Sequence, residues 1–328
     1  MKPSAPSQAL YAFTAFYAFF GSRQSMSLSS LASILINIIA PIVLVAAAGF
    51  IMARTIRADA RPVSRLMLYF FTPSLVFASA YRTKLSGEYV SIAVFALVIT
   101  GLMGIVTWLL IKTVRYDRLT ASAFALGVLF VNAGNYGLPL ILFAYGREGL
   151  ARAAFYFTMS AILAQTLAIF IAARGRASAR DALLNVLKMP LVYAVTLGLI
   201  LNQTGLTIPE PIMKAIDLVA GAAVPVMLTI LGIELAGATI ENDRAVIGLA
   251  TFAKLIIAPI IAFALAAFMG LQGVTRAVCI VEASMPTAVM ASIIAVEFDA
   301  RPKIVTGIVF ASTLFSVITL TVLLGILG

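Results

Sequence analysis

Residues 131–139 read Val-Asn-Ala-Gly-Asn-Tyr-Gly-Leu-Pro, and residues 282–287 read Glu-Ala-Ser-Met-Pro-Thr. Each stretch interrupts an otherwise apolar run and places a proline four positions after a polar residue. Proline cannot donate a hydrogen bond to the carbonyl of that earlier residue. Inside a bilayer such a break persists only where protein or a wet cavity satisfies the freed backbone groups. The two stretches therefore predict broken helices near the middle of a membrane, with two kinked packing helices as the alternative.

The composition is that of a membrane protein. Of the 328 residues, 62% are hydrophobic and 11% are charged, against about 45–50% and about 25% in soluble domains. The net charge of +10 comes from residues between the apolar runs, which favours a lipid bilayer as partner and disfavours nucleic acid. No soluble catalytic domain fits beside these runs, and the chain has no histidine for an HExxH zinc site. We therefore expect neither an enzyme nor a cofactor.

Ten apolar runs are candidate membrane spans, for which a hydrocarbon core of about 30 Å requires about 20 residues. They cover residues 31–53, 65–81, 89–111, 120–146, 150–173, 189–203, 211–237, 246–270, 275–297 and 304–328. The runs that begin at Arg65 and Met189 are short enough to lie partly in the membrane interface. The expected fold is an all-α membrane protein with about ten transmembrane helices. Residues 1–30 form an N-terminal extension, for which Met26 is an alternative start. Residues 31–173 and 189–328 form two five-helix repeats, and a short cytoplasmic linker at 174–188 joins them.

Prolines recur at nearly constant spacing in the two halves, 149, 152 and 147 positions apart. The pairs are Pro41 with Pro190, Pro73 with Pro225, and Pro139 with Pro286. Because each half has an odd number of spans, the second half would enter the membrane from the opposite side. This is the inverted repeat of many secondary transporters, although a chance match of prolines stays open.

Basic residues predict the orientation, because cytoplasmic loops retain lysine and arginine. With the N-terminus outside, the cytoplasmic loops carry 14 basic residues and the opposite side carries 8. Both termini are therefore predicted to lie outside the cell membrane.

Two of the charged residues inside predicted spans, Glu282 and Lys254, are candidates for a role in transport. Glu282 lies about seven residues, or ~10 Å, into its span, where burial disfavours the ionised form, so it is a candidate for proton exchange. A structural ion pair or a permanently protonated acid is the alternative. Lys254 could attract an anion, pair with Glu282, or extend toward the membrane surface. The other candidate site residues flank the breaks: Asn132, Gly134, Asn135, Gly137, Pro139, Ser284, Pro286 and Thr287.

The chain resembles the auxin efflux carrier family over residues 31–328. The resemblance rests on the stretch that ends at Pro139, on residues 285–288 (Met-Pro-Thr-Ala) and on residues 298–300 (Phe-Asp-Ala). It implies ten helices in two inverted repeats, a scaffold and a transport unit, and broken fourth and ninth helices that cross at the substrate site. Under this resemblance Pro139 and Pro286 mark the crossover.

Two differences from the plant auxin carriers bear on the substrate. Their crossover prolines are flanked by asparagines, whereas here the neighbours are Leu138, Leu140, Met285 and Thr287. The linker between the halves is also short. Similarity to short-loop bacterial members implies a secondary transporter in a bacterial inner membrane, with a small carboxylate such as malonate or malate as substrate. A channel or a ligand-sensing membrane protein is the alternative, and proton or sodium coupling and a homodimer stay open.

Overall fold

The computed structural model describes residues 27–83, 87–172, 184, 186–238 and 243–328. These residues form eleven α-helices. They are α1 (Leu28–Thr55), α2 (Ala60–Arg82), α3 (Glu88–Val114), α4 (Arg118–Leu129), α5 (Leu138–Ala172), α6 (Pro190–Thr204), α7 (Glu210–Ala236), α8 (Arg244–Phe268), α9 (Gly273–Ala283), α10 (Met290–Glu297) and α11 (Pro302–Leu327). By length and composition α1, α2, α3, α7, α8 and α11 could each cross a membrane.

The helix boundaries follow the apolar runs, with two instructive exceptions. The runs at 120–146 and 275–297 are not continuous helices, because α4 ends at Leu129 and α9 ends at Ala283. α5 contains two helical segments that meet at Gly146, whose backbone (φ 63°, ψ −158°) is not helical, close to the predicted boundary at 146–150. Residues 1–26 of the predicted N-terminal extension and most of the predicted linker lie outside the described residues.

Short polar side chains start several helices. Asp117 accepts hydrogen bonds from the amides of Leu119 and Thr120 at the start of α4. Asp243 accepts from the amide of Val246 at the start of α8. Such N-caps satisfy amides that have no partner within the first helical turn.

Four prolines are accommodated by a widened helical turn rather than by a break. The π-helical turns Leu35–Ile39, Met67–Phe71, Ala133–Gly137 and Ala253–Ile257 precede Pro41, Pro73, Pro139 and Pro259. In each case the residue before the proline donates its amide to the carbonyl five positions earlier. The wide turn relieves the clash between the proline ring and the preceding turn, so the helix continues.

Two glycines let α1 and α7 cross at close range. A Cβ on Gly232 would lie 1.8 Å from the carbonyl oxygen of Ala46, and a Cβ on Gly49 would lie 2.2 Å from that of Thr229. These distances allow no side chain, as at the small-residue contacts that let membrane helices approach closely. α2 packs against α6 and α7 in the same group of helices.

The remaining helices pack around the two interruptions. An apolar cluster that includes Phe124, Val246, Ile294 and Ile308 joins α4, α8, α10 and α11. α5 contacts α3 and α9 on this side and α2 on the other. The interruptions therefore lie within packed protein and not at a lipid-facing surface.

We expect Gly232→Ala to lower the melting temperature of the detergent-purified protein by several degrees, because overpacking costs about 1–3 kcal/mol. Gly221→Ala is the matched control, since it makes the same change in α7 where a Cβ would meet nothing within 4 Å. Equal melting temperatures for the two variants would show that the crossing of α1 and α7 does not depend on Gly232.

Candidate functional site

The two interruptions pair with each other through their backbones. The amide of Asn132 donates to the carbonyl of Pro286 over 2.9 Å, and the amide of Ala288 donates to the carbonyl of Phe130 over 2.9 Å. These bonds form an antiparallel bridge between Val131 and Thr287. Each segment thus satisfies backbone groups that the other leaves open, as a break inside a membrane protein requires. We call residues 130–132 and 286–288 the crossover.

The break in the first half precedes Pro139, contrary to the expectation that this proline marks it. Helix α4 ends at Leu129, Phe130 is extended, and Pro139 is the second residue of α5. The π-helical turn Ala133–Gly137 absorbs the proline, because Leu138 donates its amide to the carbonyl of Ala133. In the second half Pro286 does lie in the non-helical segment, between α9 and α10.

A spacing of 156 positions relates the two sides of the crossover. Shifting by this amount exchanges Phe130 with Pro286 and Asn132 with Ala288, which maps the two backbone hydrogen bonds onto each other. Arg118 and Gly273, the first residues of α4 and α9, are 155 positions apart, so the register of the repeats shifts by one residue between the helix starts and the crossover. The structural counterpart of Pro286 is therefore Phe130, and the 147-position pairing of Pro286 with Pro139 does not hold at the crossover.

Side chains complete the carbonyl end of α4. The hydroxyl of Thr287 donates to the carbonyl of Gly127 over 2.6 Å, and the ammonium of Lys254 donates to the carbonyl of Val128 over 3.3 Å. A cation at this position is favourable, because the C-terminal end of a helix carries a partial negative charge. The amide of Thr287 donates to the hydroxyl of Ser312 in α11 over 3.1 Å. Lys254 is only 3% exposed, so it does not extend to the surface.

Glu282 lies in the last turn of α9 and is fully buried. Its carboxylate packs against Gly137, where an added Cβ would lie 2.3 Å from Oε2. Neither carboxylate oxygen has a hydrogen-bond partner. Among the described residues no ion pair joins Glu282 to Lys254, so the pairing that we considered from the sequence is not formed.

The structure brings some of the other predicted residues to the crossover and places others beside it. Asn132 is buried, and its Nδ2 has no hydrogen-bond partner. Ser284 is also buried, but its hydroxyl donates to the carbonyl of Ile280 in its own helix. Gly134 lies against the ring of Phe157, and Asn135 is half-buried in the π-helical turn. In the described ranges, no group of three or more His, Cys, Asp or Glu residues could hold a metal ion.

The sequence analysis did not identify Gly127 and Ser312. Gly127 contributes only its carbonyl, which carries no sequence signal. Three buried hydroxyl residues lie within one and a half turns of α11: Ser312, Thr313 and Ser316. A run of hydroxyls in a span that is otherwise apolar could have indicated that this side of α11 faces polar groups.

The family model of membrane transport proteins matches the chain in two segments, residues 34–182 and 174–324. The two segments correspond to the two halves, so the chain consists of two repeated halves.

Three relatives share most of their length with the chain. An "Uncharacterized transporter" of Methanothermobacter thermautotrophicus is 29% identical over 265 residues, which is 80% of this chain and 87% of the relative. A transporter of Methanocaldococcus jannaschii, also called uncharacterized, is 25% identical over 269 residues, with the same two shares. A "Putative malonate transporter" of Rhizobium meliloti is 25% identical over 291 residues, covering 84% and 90%. The chain is thus a multi-pass membrane transporter that belongs to the membrane transport protein family, the family of the auxin efflux carriers.

Proposed function

We propose that this chain is a secondary transporter of a small organic anion, a carboxylate such as malonate or malate. In this proposal ten spans form two inverted five-helix repeats. The helices on either side of the breaks, α4 with the start of α5 and α9 with α10, are the fourth and ninth spans. Transport proceeds by alternating access at the crossover where these spans meet.

The observation that carries the proposal is the set of buried polar atoms without partners beside the crossover. Nδ2 of Asn132 and both carboxylate oxygens of Glu282 make no hydrogen bond. A buried polar atom without a partner costs about 1–3 kcal/mol, and native proteins retain few of them. A polar solute bound between these groups would remove that cost, and the two half-helices that start after the breaks would favour an anion.

The positive charge of Lys254 supports the choice of a carboxylate. It lies in the same buried region, at the end of α4 that leads into the crossover. The name of the Rhizobium meliloti relative points to malonate. Lys254 would attract the carboxylate through the poorly solvated interior, where charge interactions are stronger than in water.

Glu282 is the candidate for proton coupling. A carboxylate that has lost water and has no cation beside it is more stable with its proton bound. An arriving anion would strengthen that preference, and exposure of the site to water would weaken it. Glu282 could therefore release and take up a proton once in each transport cycle.

The orientation stays a prediction, with both termini outside on the basis of the 14 to 8 asymmetry of basic residues. Single cysteines placed near Leu28 and at Gly328, in a Cys279→Ser background, should react with a membrane-impermeant maleimide in intact cells. Labelling of either terminus only after the cells are opened would reverse the orientation.

We expect purified protein in proteoliposomes to accumulate radiolabelled malonate against its gradient when the lumen is made alkaline relative to the outside. Unlabelled malate should compete. A channel would let the label equilibrate without accumulation, and a sensor would bind it without uptake. Either result would contradict the hypothesis that the protein is a carrier.

In the same assay Lys254→Met should raise the malonate concentration for half-maximal uptake about tenfold, as expected for loss of a hydrogen bond to a charged group. Lys214→Met is the control, because Lys214 is exposed and pairs with Glu210 one turn away. If the two variants had equal affinities for malonate, the role of Lys254 would be limited to its hydrogen bond at the end of α4.

We expect Glu282→Gln to flatten the pH dependence of malonate uptake while malonate binding stays measurable, because glutamine keeps the size of the side chain but cannot exchange a proton. Glu234→Gln is the matched control, since Glu234 also carries a buried oxygen without a partner but lies in the last turn of α7. An unchanged pH profile in Glu282→Gln would make this acid structural.

A further inference from the structure

Two arginines at the starts of equivalent helical segments each contact an acidic residue and the other broken helix. Arg152 follows the bend of α5 at Gly146, and Arg301 precedes the first residue of α11. They are 149 positions apart, the same spacing as Pro41 and Pro190. From the sequence, both arginines contribute only to the count of basic residues that predicts the orientation.

The first cluster is compact. Nε of Arg152 donates to Oε2 of Glu88 over 2.7 Å, and NH2 donates to Oε1 over 3.2 Å, a bidentate pair. Nε also lies 2.7 Å from the hydroxyl of Thr275, which itself donates to Glu88. A further ion pair with Glu148 holds the guanidinium from its own helix. The side chain of Arg152 is only 9% exposed.

The second cluster has the same composition but a looser geometry. NH2 of Arg301 lies 3.6 Å from Asp117, and NH1 lies 3.9 Å from Asp243. The hydroxyl of Thr120 donates to Asp117. Hydrogen bonds from the hydroxyl and the amide of Thr120, with a smaller contribution from the charge of Arg301, hold the pKa of Asp117 below its ordinary value. Asp117 is therefore charged at neutral pH and can pair with Arg301.

Several residues of the two clusters correspond across the repeats, although Asp117 has no acidic counterpart. Glu88 and Asp243 are 155 positions apart, as are Thr120 and Thr275, and this is the spacing of the first residues of α4 and α9. Thr120 is the third residue of α4, and Thr275 is the third residue of α9. In the first cluster Arg152 and Glu88 both contact Thr275 in the first turn of α9, and in the second cluster Arg301 contacts Asp117, the N-cap of α4.

The backbone conformation of Arg301 also indicates that its position is fixed by the surrounding structure. Its φ of 44° is left-handed, a conformation that costs a residue with a side chain of order 1–3 kcal/mol and persists where the surroundings fix it. Asp299, two residues earlier, has a φ of 50°. The chain therefore enters α11 in a shape that directs Arg301 to the starts of α4 and α8.

We propose that Arg152 and Arg301 are positioning residues of the crossover. Each clamps the outer end of the broken helix of the other repeat, so that the inner ends of α4 and α9 stay paired while the protein moves. Because a helix is stiff along its axis, fixing its first turn limits the directions in which its last turn can separate from the partner segment. The labelling experiment that tests this proposal does not depend on the proposed function, and only the measurement of malonate uptake rests on it.

The chain offers a reporter for each clamp. Cys279 is fully buried in α9, four residues after Thr275. Ala123 is fully buried in α4, three residues after Thr120. A buried thiol reacts with a maleimide only when its helix opens locally. Cys279, and a cysteine at position 123 in a Cys279→Ser background, therefore report the opening of α9 and of α4.

We expect each arginine variant of the purified protein to accelerate the reaction of N-ethylmaleimide with only one of the two cysteines. Arg152→Gln should raise the labelling rate of Cys279 about tenfold and leave position 123 unchanged, and Arg301→Gln should do the reverse. The effect of Arg301→Gln should be the smaller one, because its ion pairs are longer and more exposed. Arg152→Lys should restore part of the protection, and Lys214→Gln should change neither rate.

Other labelling patterns would overturn the proposal. Equal acceleration at both positions would indicate general loosening, and no acceleration would show that the clusters do not hold the broken helices. Glu88→Gln is the second variant if Arg152→Gln does not fold, and it should affect Cys279 alone. Both arginine variants should also slow malonate uptake. If the unchanged protein takes up no malonate, the substrate proposal fails while the labelling pattern still decides the clamps.

Discussion

The structure depends on the need to satisfy backbone polar groups where no water is available. Two helices end inside the protein, and each ended helix leaves carbonyl and amide groups that would cost several kcal/mol apiece in an apolar surrounding. The bonds from Asn132 to Pro286 and from Ala288 to Phe130 meet part of this need. Because they join the two halves of the chain directly, neither break can exist without the other.

This mutual dependence explains the packing around the crossover. The carbonyl end of α4 still needs donors, and Thr287 and Lys254 supply them from the second half. α11 must then bring Ser312 to the amide of Thr287. α7, which crosses α1 closely through Gly49 and Gly232, also packs against the π-helical turn Ala133–Gly137 beside the crossover.

The sequence predicts an all-helical membrane protein because apolar runs of about 20 residues have few other interpretations. Among the described residues six helices are long and apolar enough to cross a membrane, and the count of ten spans stays a prediction. The sequence also predicts that residues 131–139 and 282–287 interrupt helices. It does not predict where the first helix ends, since a proline can be absorbed by a π-helical turn, as before Pro139, or lie in a break, as at Pro286. The pairing of Phe130 with Ala288 depends on backbone groups that every residue carries. Arg152 was missed because a basic residue at a span end is ordinarily a topology signal.

The correspondence between the repeats also shows why the unpartnered groups occur where they do. At the crossover Asn132 corresponds to Ala288, and at the spacing of 155 positions that relates the starts of α4 and α9, Glu282 corresponds to Gly127. Gly127 offers its carbonyl to the hydroxyl of Thr287, so that contact is complete. The amide of Asn132 and the carboxylate of Glu282 have no polar side chain as counterpart in the other repeat, and both remain without partners. The repeats therefore share the backbone bridge but differ in their buried polar side chains. In the transport that we propose, these differences would suit a solute that is itself asymmetric, with an anionic group at one end, while the symmetric bridge keeps the two breaks together.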